Sequence, residues 1–231
     1  MVSKDEEFQV ISPGKITYEG VEVHITGFGK FGGVEVNPTS IVVSALQKVL
    51  ETNPIPKLKI GSTKIITVSA VDAIQAVDEI VAAANEKAKA NPKIKQVLIH
   101  FGVATKNKIF YVESKGYNVA DFPNYPDEKG YKADSEVIVK GIAYNHPLES
   151  ILPCSDLVFT LQGMGIPVDV SDNPGTFICN YTYYTSLYKT LPLRIPSVFV
   201  HVPAFTTIKE EDHFAFVHAF LAGIRDIYTE G

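Results

Sequence analysis

The chain has 231 residues, 45% hydrophobic and 20% charged, with 26 acidic against 21 basic side chains and a net charge of −5. That composition suits a folded core and excludes a disordered polymer, and the acidic balance leaves no broad basic field for a nucleic-acid backbone. No apolar run nears the ~20 residues that cross a bilayer, and two cysteines, Cys154 and Cys179, make no disulfide framework, which points to a reducing compartment.

The polar opening MVSKDEEFQV carries no apolar signal-peptide region, so a cytoplasmic protein is expected. Residues 1–20 read as an extension, partly disordered, ahead of one domain over 21–231. VEVHIT (21–26) reads as a strand that ends at the glycine-rich turn GFGKFGG. Asn37 followed by Pro38 is a helix start, a capping side chain and then proline at the first helical position. That helix runs to about Glu51, where NPIPK breaks it. TKIITVSAV (63–71) is a second strand. Asp72 caps a helix whose apolar face is Ile74, Val77, Ile80, Val81 and Ala84. QVLIHFG (96–102) is apolar almost throughout, as in a strand buried on both faces.

KIFYVES (108–114) is the next strand candidate. Residues 116–136, rich in Gly, Pro, Asn, Asp and Tyr, read as a long surface excursion, and VIVKGI (137–142) as extended. A helix starts near Pro153 and ends at Gly163 or Gly165. IPVDVS (166–171) is a short strand, and DNPGTFI leads into a helix that begins near Cys179. SVFVHVP (197–203) is a buried strand and 209–228 an amphipathic closing helix. The alternation predicts a three-layer α/β/α sandwich around a mixed, mostly parallel central sheet. Ligands of such sheets bind at the carboxyl ends of the strands.

Cys179 stands where a helix begins. The first amides of a helix lack intrahelical acceptors, so they stabilise a thiolate and can receive an oxyanion. Most free cysteines are instead small buried hydrophobes. A nucleophilic cysteine needs a base within hydrogen-bond reach, and the base needs an orienting acceptor. His201, late in its apolar strand, is the first candidate base. His100, which also ends a strand, ranks second. His24 reads as structural, and His146, His213 and His218 as surface or helix residues. Glu113, at the end of a strand-like segment, is the candidate acceptor. The alternative for it is a solvated carboxylate.

Gly27, Gly29 and Gly32 spell GxGxxG after a strand, which suggests a dinucleotide site. Phe28 and Phe31 crowd the turn, however, and the acidic residue Asp72 lies too far along for the ribose. The two rings read better as faces for a small, flat, apolar ligand, with core packing as the alternative.

TGFGKFGGVEVNPT (26–39), HFGVATKNKIFYVES (100–114), GIPVDVSDNPGTFICNYTYYTSL (165–187) and FVHVP (199–203), in this order, resemble the pyroglutamyl peptidase I family of cysteine peptidases. The resemblance runs from about residue 21 to the last helix. It implies an α/β/α hydrolase with Cys179 as nucleophile, His201 as base and Glu113 as orienting carboxylate. It further implies that Phe28 and Phe31 hold a pyroglutamyl ring, that Phe177 and Ile178 extend the pocket, and that Asn37 supports it. Backbone groups at Val103 would meet the lactam edge. Val103 stands where many bacterial members have glutamine, and Asn124 aligns with an arginine common in them. The expected reaction removes an N-terminal pyroglutamyl residue from small peptides through a thioester, with no metal or organic cofactor. The expected protein is a monomer or homo-oligomer away from membranes and nucleic acid. A member of the same fold that binds such peptides without cleaving them is the alternative reading.

Overall fold

The computed structural model describes residues 17–230, so most of the expected 1–20 extension lies outside the described residues. Among the described residues, eight strands and five α-helices follow one another. They are β1 (Gly20–Phe28), α1 (Pro38–Thr52), β2 (Leu58–Ile66), α2 (Ala70–Ala90), β3 (Ile94–Val103), β4 (Phe110–Glu113), β5 (Lys115–Tyr117), β6 (Pro147–Glu149), α3 (Cys154–Gly163), β7 (Val168–Ser171), α4 (Ile178–Thr190), β8 (Ser197–Val202) and α5 (Glu210–Thr229). Six strands form one sheet in the order β2-β1-β3-β8-β4-β7. All neighbours run parallel except β4 and β8, which are antiparallel. β5 and β6 make a separate antiparallel ribbon.

Period-two alternation divides the core into the two outer layers. Val97, Ile99, Phe101 and Val103 of β3 pack with α1, α3 and α5. His100 and Gly102 face the other way, toward α4, where His100 meets Ser186 and Gly102 meets Cys179. The helices α2 and α4 cover this second face, with Phe199 of β8 in the cluster beneath them. The expected α/β/α sandwich with a mixed, mostly parallel sheet is the architecture found.

Asn37 caps α1 as expected: its Oδ1 accepts from the Thr39 amide at 3.1 Å and from the Thr39 hydroxyl at 2.9 Å. A cap of this kind is worth about 1 kcal/mol. Two expected strands are corrected. The second strand is Leu58–Ile66, not 63–71, because Ser69 turns the chain and caps α2, its Oγ accepting from the Asp72 amide at 3.2 Å. VIVKGI is not extended. The buried Asn118 side-chain amide donates to the carbonyls of Val139, Ile142 and Ala143 and winds that segment into a loop. The 116–136 excursion is also more than surface. Val119, Ala120, Phe122 and Ala133 are buried, and Asp127 pins it to α2 by accepting from the Ala70 amide at 2.9 Å.

Candidate active site

The antiparallel pairing of β4 with β8 sets Tyr111 opposite His201 and Glu113 opposite Phe199. Directly opposed residues share a face, so all four side chains point toward α4. Glu113 and His201 are diagonal neighbours, and the His201 Nδ1 donates to Glu113 Oε1 at 2.7 Å. Glu113 is 1% exposed and His201 8%. The second carboxylate oxygen, Oε2, is buried and has no hydrogen-bond partner among the described residues.

Cys179 is the second residue of α4. Phe177 is the N-cap, and no side chain caps that end of the helix. The half-buried Cys179 side chain packs at the edge of an apolar cluster that includes Phe28, Ile178 and Phe199. Its sulfur sits beside Gly102, the residue in register with His201 on β8. Burial by itself would lower the His201 imidazole. The charge and hydrogen bond of Cys179, joined by Glu113, outweigh it and lift the ring to about 10. The opening turn of α4 adds roughly half a positive charge at the sulfur's end of the helix.

Gly102 makes room for this contact. Its position is in register with His201 on β8. A Cβ there would lie 2.6 Å from the Phe199 ring and 3.0 Å from the Cys179 sulfur. On α4, the Tyr183 hydroxyl donates to the backbone carbonyl of Glu113 at 2.7 Å. The buried Asn180 side chain accepts from the Tyr117 amide and donates to the carbonyls of Tyr117 and Val119, all within 2.9 Å. Sequence reasoning did not single out Gly102, Asn180 or Tyr183 for these tasks. Asn180 directly follows Cys179 in the sequence, but nothing local tells an anchoring asparagine from a solvated one.

The remaining histidines separate cleanly. His100 is fully buried between Thr26 and Ser186, with ring hydrogen bonds of 2.8 and 2.9 Å, and burial lowers it to about 3. It is a neutral core residue. His24 bridges Ser62 and Gln96, each at 2.9 Å, in keeping with its structural reading. His213 lies in α5, buried against the Lys209 and Pro203 carbonyls. The other cysteine, Cys154, is buried in the opposite core layer, and burial pushes its thiol up to about 12.

Several clefts border the start of α4, and two of them bear on the site. One, of about 570 Å³, is lined by Phe31, Phe122, Tyr125, Phe177 and Asn124 among others. Phe31 and Phe177 rings stand 6.3 Å apart there. The other, of about 400 Å³, is lined by Glu113, His201 and the Asn173–Gly175 segment. Phe28 and Ile178 are buried behind the first cleft, at 2% and 0% exposure, and do not line it. Asn37 spends its amide on the protein, donating to the Gly29 carbonyl at 2.9 Å besides capping α1. Val103 turns its side chain into the α1, α3 and α5 layer, leaving only backbone on the site's side. The glycine-rich turn is closed by an antiparallel bridge between Phe31 and Val34. Among the described residues no cluster of three or more His, Cys, Asp or Glu side chains could hold a metal ion, and no helix is long and apolar enough to cross a membrane.

A thiol at a helix start, an imidazole against it and a buried carboxylate behind the imidazole form the side-chain set of cysteine hydrolases. The family described as pyroglutamyl peptidase matches residues 21–217, and the chain belongs to that peptidase family. It is 32% identical over 186 residues to the pyrrolidone-carboxylate peptidase of Vibrio parahaemolyticus, covering 79% of this chain and 78% of the relative. It is 28% identical over 185 residues to the pyrrolidone-carboxylate peptidase of Pyrococcus furiosus, covering 79% and 81%. The crystal structure of pyrrolidone carboxyl peptidase from Pyrococcus furiosus shares the fold, with a TM-score of 0.75 over 88% of this chain and 97% of that one, at 23% identity.

Proposed function

We propose that this protein is a cysteine omega-peptidase that hydrolyses the peptide bond after an N-terminal pyroglutamyl residue. The observation that carries the reading is the Glu113–His201 hydrogen bond on the strand next to Gly102, with the Cys179 sulfur beside that glycine at the opening of α4. The names of its relatives supply the substrate class.

In the proposed reaction the Cys179 thiolate attacks the pyroglutamyl carbonyl carbon, and the carbonyl π electrons move to oxygen. The unpaired amides at the start of α4 hold that oxyanion. As the oxyanion collapses, the C–N bond breaks and His201 Nε2 gives its proton to the departing nitrogen. A thioester remains. His201 then takes a proton from water, the hydroxide adds to the thioester, and the C–S bond breaks to return the thiolate and release pyroglutamate. Glu113 holds the ring in the tautomer that points Nε2 at the sulfur throughout. Aromatic faces at Phe31 and Phe177 suit the apolar sides of a five-membered lactam.

A fluorogenic pyroglutamyl amide should be cleaved by the wild type, cleavage should stop after iodoacetamide labels Cys179, and Cys179→Ala should release no pyroglutamate. Tight binding of the amide without release would overturn the catalytic reading in favour of a binding protein.

A further inference from the structure

The two clefts beside α4 differ in chemistry. The Phe31–Phe177 cleft is walled mainly by rings. The second is walled by Asn107, Tyr111, Ser171 and Asn173, together with Glu113 and His201. The chain passes from one to the other between Asn173 and Phe177, just ahead of Cys179.

On the functional reading above, His201 protonates the departing nitrogen. The wall that carries His201 is therefore where the residue after pyroglutamate enters. We propose that this second cleft is the subsite for the substrate's second residue, and that it selects polar uncharged or basic side chains and rejects acidic ones.

Three observations carry the assignment. First, no lysine or arginine lines the cleft; Lys106 and Lys108 are exposed on the neighbouring loop without joining its wall. Second, Glu113 contributes a buried carboxylate whose Oε1 is committed to His201 and whose Oε2 has no partner among the described residues. An acidic side chain entering beside this carboxylate meets like charge, and the repulsion is strengthened by the low local dielectric. Third, the polar wall retains donors. Asn173 Oδ1 already accepts from the Gly175 amide at 3.2 Å, which leaves its Nδ2 to donate. The Asn107 side chain has no hydrogen-bond partner among the described residues. Uncharged hydrogen-bonding side chains and substrate carbonyls fit this wall.

The test measures kcat/KM of the full chain on pyroglutamyl-Xaa amides with Xaa Asn, Lys, Ala and Glu, beside pyroglutamyl-aminomethylcoumarin. Asn and Lys should exceed Glu by about tenfold. Asn107→Lys should shift the Glu-to-Lys ratio toward Glu by a further tenfold, and Asn107→Asp should shift it the other way; either variant suffices if the other does not fold. Coumarin release with a flat series, with Glu preferred, or with a ratio unmoved by a folded Asn107 variant overturns the subsite and leaves the peptidase reading intact. Failure to cleave any substrate overturns both.

Discussion

Glu113 and His201 sit on antiparallel neighbours one pair out of direct opposition, and that diagonal brings Oε1 to 2.7 Å from Nδ1. A directly opposed carboxylate would need a different rotamer to reach the same nitrogen. Tyr111 holds that opposed position instead and lines the same cleft as Glu113 and His201.

The diagonal makes Glu113→Gln an informative change. An amide can present N–H to Nδ1, which favours the tautomer whose proton is on the wrong nitrogen. Turnover of a fluorogenic pyroglutamyl amide should fall by about 10²–10⁴. Circular dichroism should show the fold retained, since the amide matches the carboxylate in size.

The raised His201 value has a definite sign for stability. The folded state holds the ring's proton more tightly than the unfolded chain, about 10 against an ordinary 6.5. The resulting stabilisation is complete below about pH 6.5 and is lost as pH rises through about 10. Burial opposes the shift, and the two influences of Cys179 drive it. In Cys179→Ala the imidazole should titrate lower, and the alkaline fall in melting temperature should move to lower pH. NMR titration of the His201 ring in both proteins measures this directly.

Gly102→Ala should damage both stability and catalysis. The added methyl meets the Phe199 ring at 2.6 Å and the sulfur at 3.0 Å. Overpacking of this kind costs about 1–3 kcal/mol. The displaced thiol should lose at least about tenfold, and up to about a hundredfold, in kcat, as misplacement near 1 Å does elsewhere. Denaturant unfolding and steady-state rates separate the two effects.

Asn180→Ala removes one hydrogen bond to each of three backbone groups around Tyr117 and Val119. Buried partners left unsatisfied should lower unfolding stability by about 2–4 kcal/mol. Asn180→Asp keeps the acceptor for the Tyr117 amide but loses the two donors, so it should not rescue the loss. Urea denaturation of the three proteins gives the comparison.

Much of this fold was legible because strong local signals agreed with the tertiary outcome. Asn37-Pro38 starts α1, the apolar run ending in Gly102 is the doubly covered β3, and Cys179 falls within the first turn of α4. The misreadings fall where tertiary pairing decides. β2 lies at a sheet edge, and its polar residues disguise it, while the apolar stretch after it is bent by the Ser69 cap. β5 and β6 are three residues each and exist only as partners of one another. The loop at 137–142 takes its shape from Asn118, about twenty residues away in sequence. At the site, residue types pointed to Cys179, His201 and Glu113, but the face each strand presents did not follow from type. Phe28 shows it: it is buried, while Phe31 lines the cleft.

The hydroxyl of Tyr183 grips the main chain of Glu113 from the same helix that carries the thiol. Any slide or tilt of that helix must therefore drag the carboxylate's strand along. Sulfur and carboxylate travel as cargo on one chassis, and their spacing is set by α4 and β4 moving together.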